Sequence, residues 1–377
     1  MRIAFALGSA EVGGSETNAL RTAKALLQLG HEVHCICLAP GGRVLDEFRD
    51  AGIPILHLPL GSFRNARALS TGRKLFTWLR HHRIDVVHAY DPYSDTFAVP
   101  VARAASTPLV VASQRWWRDP PGRLLRLGTN ASYRIAHCVI VNSERVRRRL
   151  IAQGHSSDRV HTVSNLVEPH LFDVPTDQEL EVQRSHVGLV PGLPVIGIVA
   201  RLTQVKDHAT FLRAAALLIA EGVNAQFVVI GDGELRNELE GLVDSLGIRD
   251  VVHFTGMVRT SSNISSLLDV AALTSLAEGF PNAVVEAMAA GRPVVATDVG
   301  GTPDALLHGH TGYLVPPSNP RELADRFREL LEDPALVARM GQRAREVALS
   351  QYSAPIVIEQ LLAIYRSNIR QHAFITR

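Results

Sequence analysis

Two carboxylates, Glu278 and Glu286, stand eight residues apart in "EGFPNAVVE", where a Gly, a Phe, a Pro and an Asn lead into an apolar helical run. The first N–H groups of a helix have no partner inside it and carry the positive end of its dipole, so the amides of Asn282 and Ala283 would favour an anion. Glu286, one turn further on, can accept paired hydroxyl donors such as those of a ribose. Glu278, before the helix with Gly279 and Phe280, falls close to where a sugar joined to the phosphate would lie. The spacing alone does not show acid-base catalysis, and a capped helix with one solvated Glu is the plainer alternative.

Other loops offer complementary chemistry. In "VARLTQVKDH", Arg201 and Lys206 lie five residues apart just past a strand end. Two converging cations can neutralise a diphosphate, since one charge pair at about 4 Å is worth on the order of 4 kcal/mol at an effective dielectric near 20. Each alone could equally be a surface ion pair. "VVIGDGELRNEL" supplies Gly231 and Gly233 to a turn that suits a nucleotide, and in "VVHFTGMV" the backbone of Met257 and Val258 could pair with a base edge. "GSAEVGGSETNAL" reads as a strand end, a glycine pair with Gly14 free to approach a phosphate, and a helix capped by Ser15. It is neither G-x-G-x-x-G nor a P-loop, which counts against dinucleotide and ATPase readings.

These loops need a frame that brings them together. Short β-rich runs alternate with helical patterns from "RIAFALG" through "HEVHCICLAP", "IPILHLPL", "DVVHAYD", "PLVVASQR" and "CVIVNS" to "RVHTVSN". A polar lapse between about Leu171 and Val190 precedes a second series, "PVIGIVARL", "AQFVVIGDG", "VVHFTG", "AALTSL", "PVVATDVG" and "GYLVPP", with only helices after Pro320. Such alternation predicts parallel sheets covered by helices, hence an α/β chain of two doubly wound domains. Their boundaries are expected at 1–180 and 181–355, with a helix at 356–377 packing back on the first domain. Doubly wound sheets bind ligands beyond the carboxyl ends of their strands, so two facing domains would enclose a deep cleft.

Composition sets outer bounds. The 377 residues are 46% hydrophobic, 20% charged and 6% aromatic, which suits a globular enzyme of about two domains. The net charge of +2 excludes a general polyanion binder, yet residues 115–149 hold nine Arg against Asp119 and Glu144. Cys35, Cys37 and Cys138 form no paired framework or metal-ligand spacing, which suggests a reducing compartment. The opening apolar run is short for a signal peptide and no spanning segment occurs, so a cytoplasmic location is expected.

Taken together, "EGFPNAVVE" followed by "AMAAGRPVVATDVGG", Arg201 with Lys206, "GDGELR", "FTGMV" and the amino-terminal "GGSE" resemble retaining glycosyltransferases of family 4. The resemblance covers both halves in order and implies the GT-B fold: two Rossmann-like domains facing a deep cleft. It implies transfer of a sugar from a nucleotide diphosphate sugar, a UDP-sugar before a GDP-sugar, to a glycan or lipid-linked acceptor with anomeric configuration kept. By that analogy Arg201, Lys206 and Glu278 are catalytic. Gly14, Gly231, Met257, Val258, Gly279, Phe280, Asn282, Ala283 and Glu286 bind the donor, and no cofactor or metal is needed. Many relatives carry a His at the strand end that here reads Ser113, Gln114 and Arg115, and Leu166 stands where Gly is frequent.

On the acceptor side His88, Asp91, Tyr93, Gln114 and Arg115 are candidates, a structural role for His88 being the alternative. The basic, aromatic segment 115–135, with Trp116 and Trp117, suggests contact with an anionic membrane at the inner face of the cell membrane, or else an ordinary amphipathic helix. Rival readings are a sugar-nucleotide epimerase, a phosphorylase and a non-catalytic binder of the same fold. A dehydrogenase lacks its glycine fingerprint, and nucleic-acid binding has no motif beyond the Arg-rich segment.

Overall fold

The computed structural model describes residues 1–11, 13–61, 63, 66–117, 119–258 and 263–375. Val12 of the amino-terminal loop and Arg118 of the basic segment therefore lie outside the described residues. Two compact units are formed: Met1–Leu166 with Ala354–Arg377, and Val167–Ser353.

The first unit runs β1 (Arg2–Leu7), α1 (Gly14–Gln28), β2 (Glu32–Cys37), α2 (Arg43–Asp50), β3 (Ile55–His57), α3 (Ala66–His81) and β4 (Val86–Ala89). It continues with α4 (Pro92–Ala104), β5 (Leu109–Gln114), α5 (Arg123–Ile135), β6 (Cys138–Val141), α6 (Glu144–Ala152) and β7 (Val160–Thr162). All seven strands are parallel, in the order β3-β2-β1-β4-β5-β6-β7. Their runs are predominantly apolar because helices cover both faces, and Ile3 to Leu7 of β1 are wholly buried.

The second unit contains α7 (Asp177–His186), β8 (Val195–Val199), α8 (His208–Ala220), β9 (Gln226–Ile230), α9 (Arg236–Leu246), β10 (Val252–Gly256) and β11 (Val270–Leu273). There follow α10 (Asn282–Ala289), β12 (Val294–Thr297), α11 (Thr302–Ala305), β13 (Gly312–Val315), α12 (Pro320–Glu332) and α13 (Pro334–Tyr352). Its six parallel strands are ordered β10-β9-β8-β11-β12-β13. The order of strands reverses between β1 and β4 in one unit and between β8 and β11 in the other. These are the switch points at which open α/β sheets take ligands.

The division falls at Leu166/Val167, earlier than the expected 180. Val167 N–H donates to Tyr352 O at 2.8 Å, and Val167, Leu171 and Phe172 are buried in the second core beside Phe280 and Tyr352. A short 3-10 turn at Pro169–Phe172 conceals this from any periodicity reading. The closing helix α14 (Ala354–Ile375) starts two residues before the expected 356 and belongs to the first unit. Val357, Ile358, Leu361, Leu362 and Tyr365 join the core there with Phe5, Ala19 and Leu26. Each such side chain contributes about 1.5–3 kcal/mol on leaving water, so α14 is a structural part of that unit.

One capping expectation fails. Helix α1 begins at Gly14 with Gly13 as its cap, not Ser15, and no side chain caps it. The Glu16 carboxylate lies over Gly13, where a Cβ would meet Oε2 at 2.5 Å, so the place of a capping side chain is taken from within the helix.

Candidate functional site

At the switch point of the second unit, the loops leaving β8 and β11 are tied together by side chains. Lys206, on the 3-10 turn Gln204–Lys206, donates from Nζ to Glu278 Oε1 at 2.5 Å, and Ser275 Oγ donates to the same oxygen at 2.6 Å. Thr274 Oγ1 donates to Lys206 O at 2.9 Å, and Leu276 N–H to Val205 O at 2.8 Å. Glu278 is only 9% exposed. Even so, no partner meets its Oε2 or the other ammonium hydrogens of Lys206 among the described residues. The site thus presents a cation and a carboxylate oxygen held in place but not saturated.

The loop after β12 seats this carboxylate. Gly301 N–H donates to Glu278 O at 3.0 Å, and Gly300 takes φ +50°, where a Cβ would stand 1.7 Å from that oxygen. Only glycine permits the approach. Thr297 Oγ1 donates to Ser275 O at 2.6 Å. Ser275, Thr297, Gly300 and Gly301 were not singled out from the sequence. The glycine pair after a buried strand was the available signal, whereas nothing in "ALTSLAE" marks Ser275 as a partner of Glu278.

The glycine-rich loop works by backbone contact. Gly231 has φ +143° and lies so near Ala200 O that a Cβ would meet it at 2.0 Å. With Leu202 N–H donating to Asp232 O at 3.0 Å, this sets the stretch that carries exposed Arg201. Met257 is exposed and Val258 half-buried just beyond β10. Helix α10 starts at Asn282, as the sequence indicates, with Gly279 and Phe280 in the loop before it and Glu286 half-buried in its second turn. The two expected amides differ. Asn282 N–H already donates to Phe280 O at 3.1 Å, because the chain turns sharply at Pro281, while Ala283 N–H has no acceptor among the described residues.

Behind Lys206 lies His208, the first residue of α8 and 1% exposed. Burial, then the neighbouring Lys206 charge, push its ring down to about 4, so it is neutral at neutral pH and adds no cation to the site.

The first unit uses its candidates differently. His88, wholly buried, is bonded through Nδ1 to Tyr365 Oη at 2.6 Å and through Nε2 to Ser113 Oγ at 2.7 Å. Burial, then Arg115, hold it well below the usual imidazole range. It lines no surface of its unit, which corrects the expectation that it faces an acceptor: the α14 tyrosine fills that side. Asp91 is the capping-box residue of α4 and accepts from Gly8, Tyr93 and Ser94. Arg115 is 7% exposed, bonded to Asn165 Oδ1 at 2.9 Å, with its guanidinium 4.2 Å from the Tyr90 ring centroid. Asp91 is therefore also consumed internally, and Arg115 is buried against Asn165 and Tyr90 with its Nε left without a partner among the described residues. Tyr93 is exposed and stacks on Phe63. Gln114 lines a polar groove beside α5. Gly14 opens α1 as described above. Among the described residues no three or more His, Cys, Asp or Glu side chains are grouped to hold a metal ion, and no helix is long and apolar enough to cross a membrane.

Comparison with known proteins adds a second line. A family model described as "Glycosyl transferases group 1" matches residues 181–347, and one described as "Glycosyl transferase 4-like domain" matches residues 13–165. The alpha-D-kanosaminyltransferase of Streptomyces kanamyceticus is 31% identical over 279 residues, 71% of this chain and 72% of that protein. The D-inositol 3-phosphate glycosyltransferase 1 of Catenulispora acidiphila is 30% identical over 397 residues, 96% of this chain and 92% of that protein. The crystal structure of Anabaena Alr3699/HepE in complex with UDP is similar with a TM-score of 0.86 at 23% identity, over 97% of this chain and 100% of that one.

Proposed function

The chain belongs to glycosyltransferase family 4, with the GT-B fold and hexosyltransferase-type activity, and from that premise we propose that it is a retaining enzyme using a nucleotide diphosphate sugar. The observation that carries the reading is the Lys206–Glu278 pair at the β8/β11 switch point, with an ammonium and a carboxylate oxygen left for a ligand. Lys206 and Arg201 hold the diphosphate, Glu286 holds the ribose, and Met257 and Val258 face the base beside the Gly231 loop. Glu278, Gly279, Phe280, Asn282 and Ala283 surround the sugar and its phosphate. A UDP-sugar is favoured over a GDP-sugar because the Anabaena neighbour is described with UDP.

In the reaction, the acceptor oxygen bonds to the anomeric carbon on the face from which the diphosphate leaves. The bond from that carbon to the phosphate oxygen breaks, and the acceptor proton passes to the departing phosphate. The difficult part is the charge growing on the leaving group, so preplaced cations and N–H dipoles matter more than a strong base. The reading requires no metal or cofactor.

The acceptor is a glycan or lipid-linked glycan of polysaccharide or glycoconjugate synthesis. On α5, Leu124 and Leu127 are 60% and 56% exposed beside Arg123, which favours peripheral contact with an anionic membrane at its cytoplasmic face. Failure to float with vesicles containing anionic lipid removes that part alone. The central test is thermal shift with UDP, GDP, ADP, CMP and their sugars, for the intact protein and Glu286→Ala. Stabilisation by one nucleoside diphosphate, weakened in the variant, is expected. No shift with any of them overturns the donor site, and tight binding without hydrolysis or transfer makes the protein a binder rather than an enzyme.

A further inference from the structure

A groove of about 320 Å³ lies within the first unit between α5, the segment after β5 and the end of α6. Its wall on α5 includes Arg126, Asn130 and Arg134, four residues apart and therefore on one helix face, with Thr129 and Tyr133 beside them. Opposite stand Trp116 and Asp119, with Gln114 at the end of β5, its amide pinned by donation to Trp116 O at 3.4 Å.

The charges do not balance. The one carboxylate in the lining, Asp119, is already engaged by Arg149 Nη2 at 2.6 Å, and Arg149 lies outside the lining with its guanidinium 5.5 Å from the Trp117 ring centroid. Arg126 and Arg134 make no ion pair or side-chain hydrogen bond among the described residues, although each carries five N–H donors. Asn130 adds an amide. The groove is therefore rich in donors, has two positive charges in excess, and includes the Trp116 indole in its lining. Planar guanidiniums match a phosphate or carboxylate by paired hydrogen bonds, and an indole packs on the apolar face of a sugar ring.

We propose that this groove is an acceptor subsite and that it takes a saccharide or polyol bearing a phosphate or carboxylate group, with Arg126 and Arg134 on the anion and Trp116 against the ring. The proposal rests on the glycosyltransferase reading but on none of the donor-site residues. It names the acceptor's chemical class as anionic.

The test is an NMR titration of isotopically labelled full chain, following the Trp116 indole and the Gln114 and Asn130 side-chain amides. Inorganic phosphate and glucuronate serve as probes and glucose as the neutral control, with the double variant Arg126→Gln/Arg134→Gln alongside. Saturable shifts with phosphate or glucuronate, at least tenfold weaker in the variant and at least tenfold weaker with glucose, are expected. Whichever anion binds more tightly identifies the group. Equal response to glucose, an unaltered response in the variant, or no response at those three side chains overturns the proposal. Both arginines are exposed, so the variant should keep the fold. Retained UDP stabilisation in it verifies this, and loss of UDP stabilisation in the intact protein would instead indict the donor reading.

Discussion

At the switch point of the first unit, between β1 and β4, the Asp91 carboxylate accepts from Gly8 N–H at 2.5 Å, Tyr93 N–H at 2.9 Å, Ser94 N–H at 3.0 Å and Ser94 Oγ at 3.0 Å. At the equivalent place in the second unit, between β8 and β11, the Glu278 carboxylate accepts from Lys206 and Ser275 through one oxygen alone. The first carboxylate is spent on its own backbone and closes the strand ends around it. A Cβ on Gly8 would meet Asp91 Oδ1 at 2.3 Å. The second holds a charged side chain and keeps an oxygen in reserve. The two sheets thus treat the carboxylates at their switch points oppositely, one saturated by its own loop and one left with hydrogen-bonding capacity. What separates them is whether the partners of the acid are fixed amides or a cation that a ligand can recruit.

The largest expected effect tests the chemical half. Lys206→Gln should lower the transfer rate about a hundredfold to a thousandfold, the usual loss for one preorganised donor to developing charge, with little change in Tm. A fall in Tm with the rate intact would place Lys206 on the architectural side. His208 sharpens the same half. Its pKa lies lower in the folded chain than in the unfolded one, so the unfolded state binds the extra proton between pH 6.5 and about 4. Stability is present above that window and is lost as pH falls through it, by up to about 3 kcal/mol. In His208→Gln the slope of stability against pH should flatten between pH 6.5 and 4 in denaturant titrations, and an unchanged slope refutes the assignment.

In the architectural half, Asp91→Asn turns an amide toward one of the N–H groups that the carboxylate now satisfies. It should reduce stability by about 2 kcal/mol in urea unfolding with UDP affinity untouched. A lost rate with unchanged stability would break the comparison. The smallest effect is expected from Tyr365→Phe, which removes the hydroxyl bonded to His88 Nδ1. About 1 kcal/mol of stability should go, with the donor KM as before.

Much of this was legible beforehand. Each strand among the described residues overlaps one of the runs marked in the sequence, because a strand buried on both faces is predominantly apolar. The start of α10 at Asn282 follows from Gly and Pro before an apolar helical pattern. The attachment of segment 167–180 rests on a few buried side chains, the Val167 bond to Tyr352 O, and bonds from Asn263 to Leu171 O and from Arg345 to Phe172 O, all from residues distant in sequence, which no local pattern encodes. Ser15 suits a cap by type and position, yet the backbone is already helical at Gly14.

The sequence by itself determined the two sheets, the strand-end loops and the residue types, Arg201, Lys206, Glu278 and Glu286, that suit a diphosphate and a ribose. Those features depend on local periodicity and on side-chain chemistry, which neighbours in the chain already contain. Only the tertiary structure decided which polar strand-end residues remain available. His88, Asp91 and Arg115 are buried among partners as far away in sequence as Tyr365, whereas Lys206 and Glu278, 72 residues apart, meet with hydrogen-bonding capacity left over. Saturation of a polar group depends on every neighbour in space at once, and the chain's order of residues does not state those neighbours.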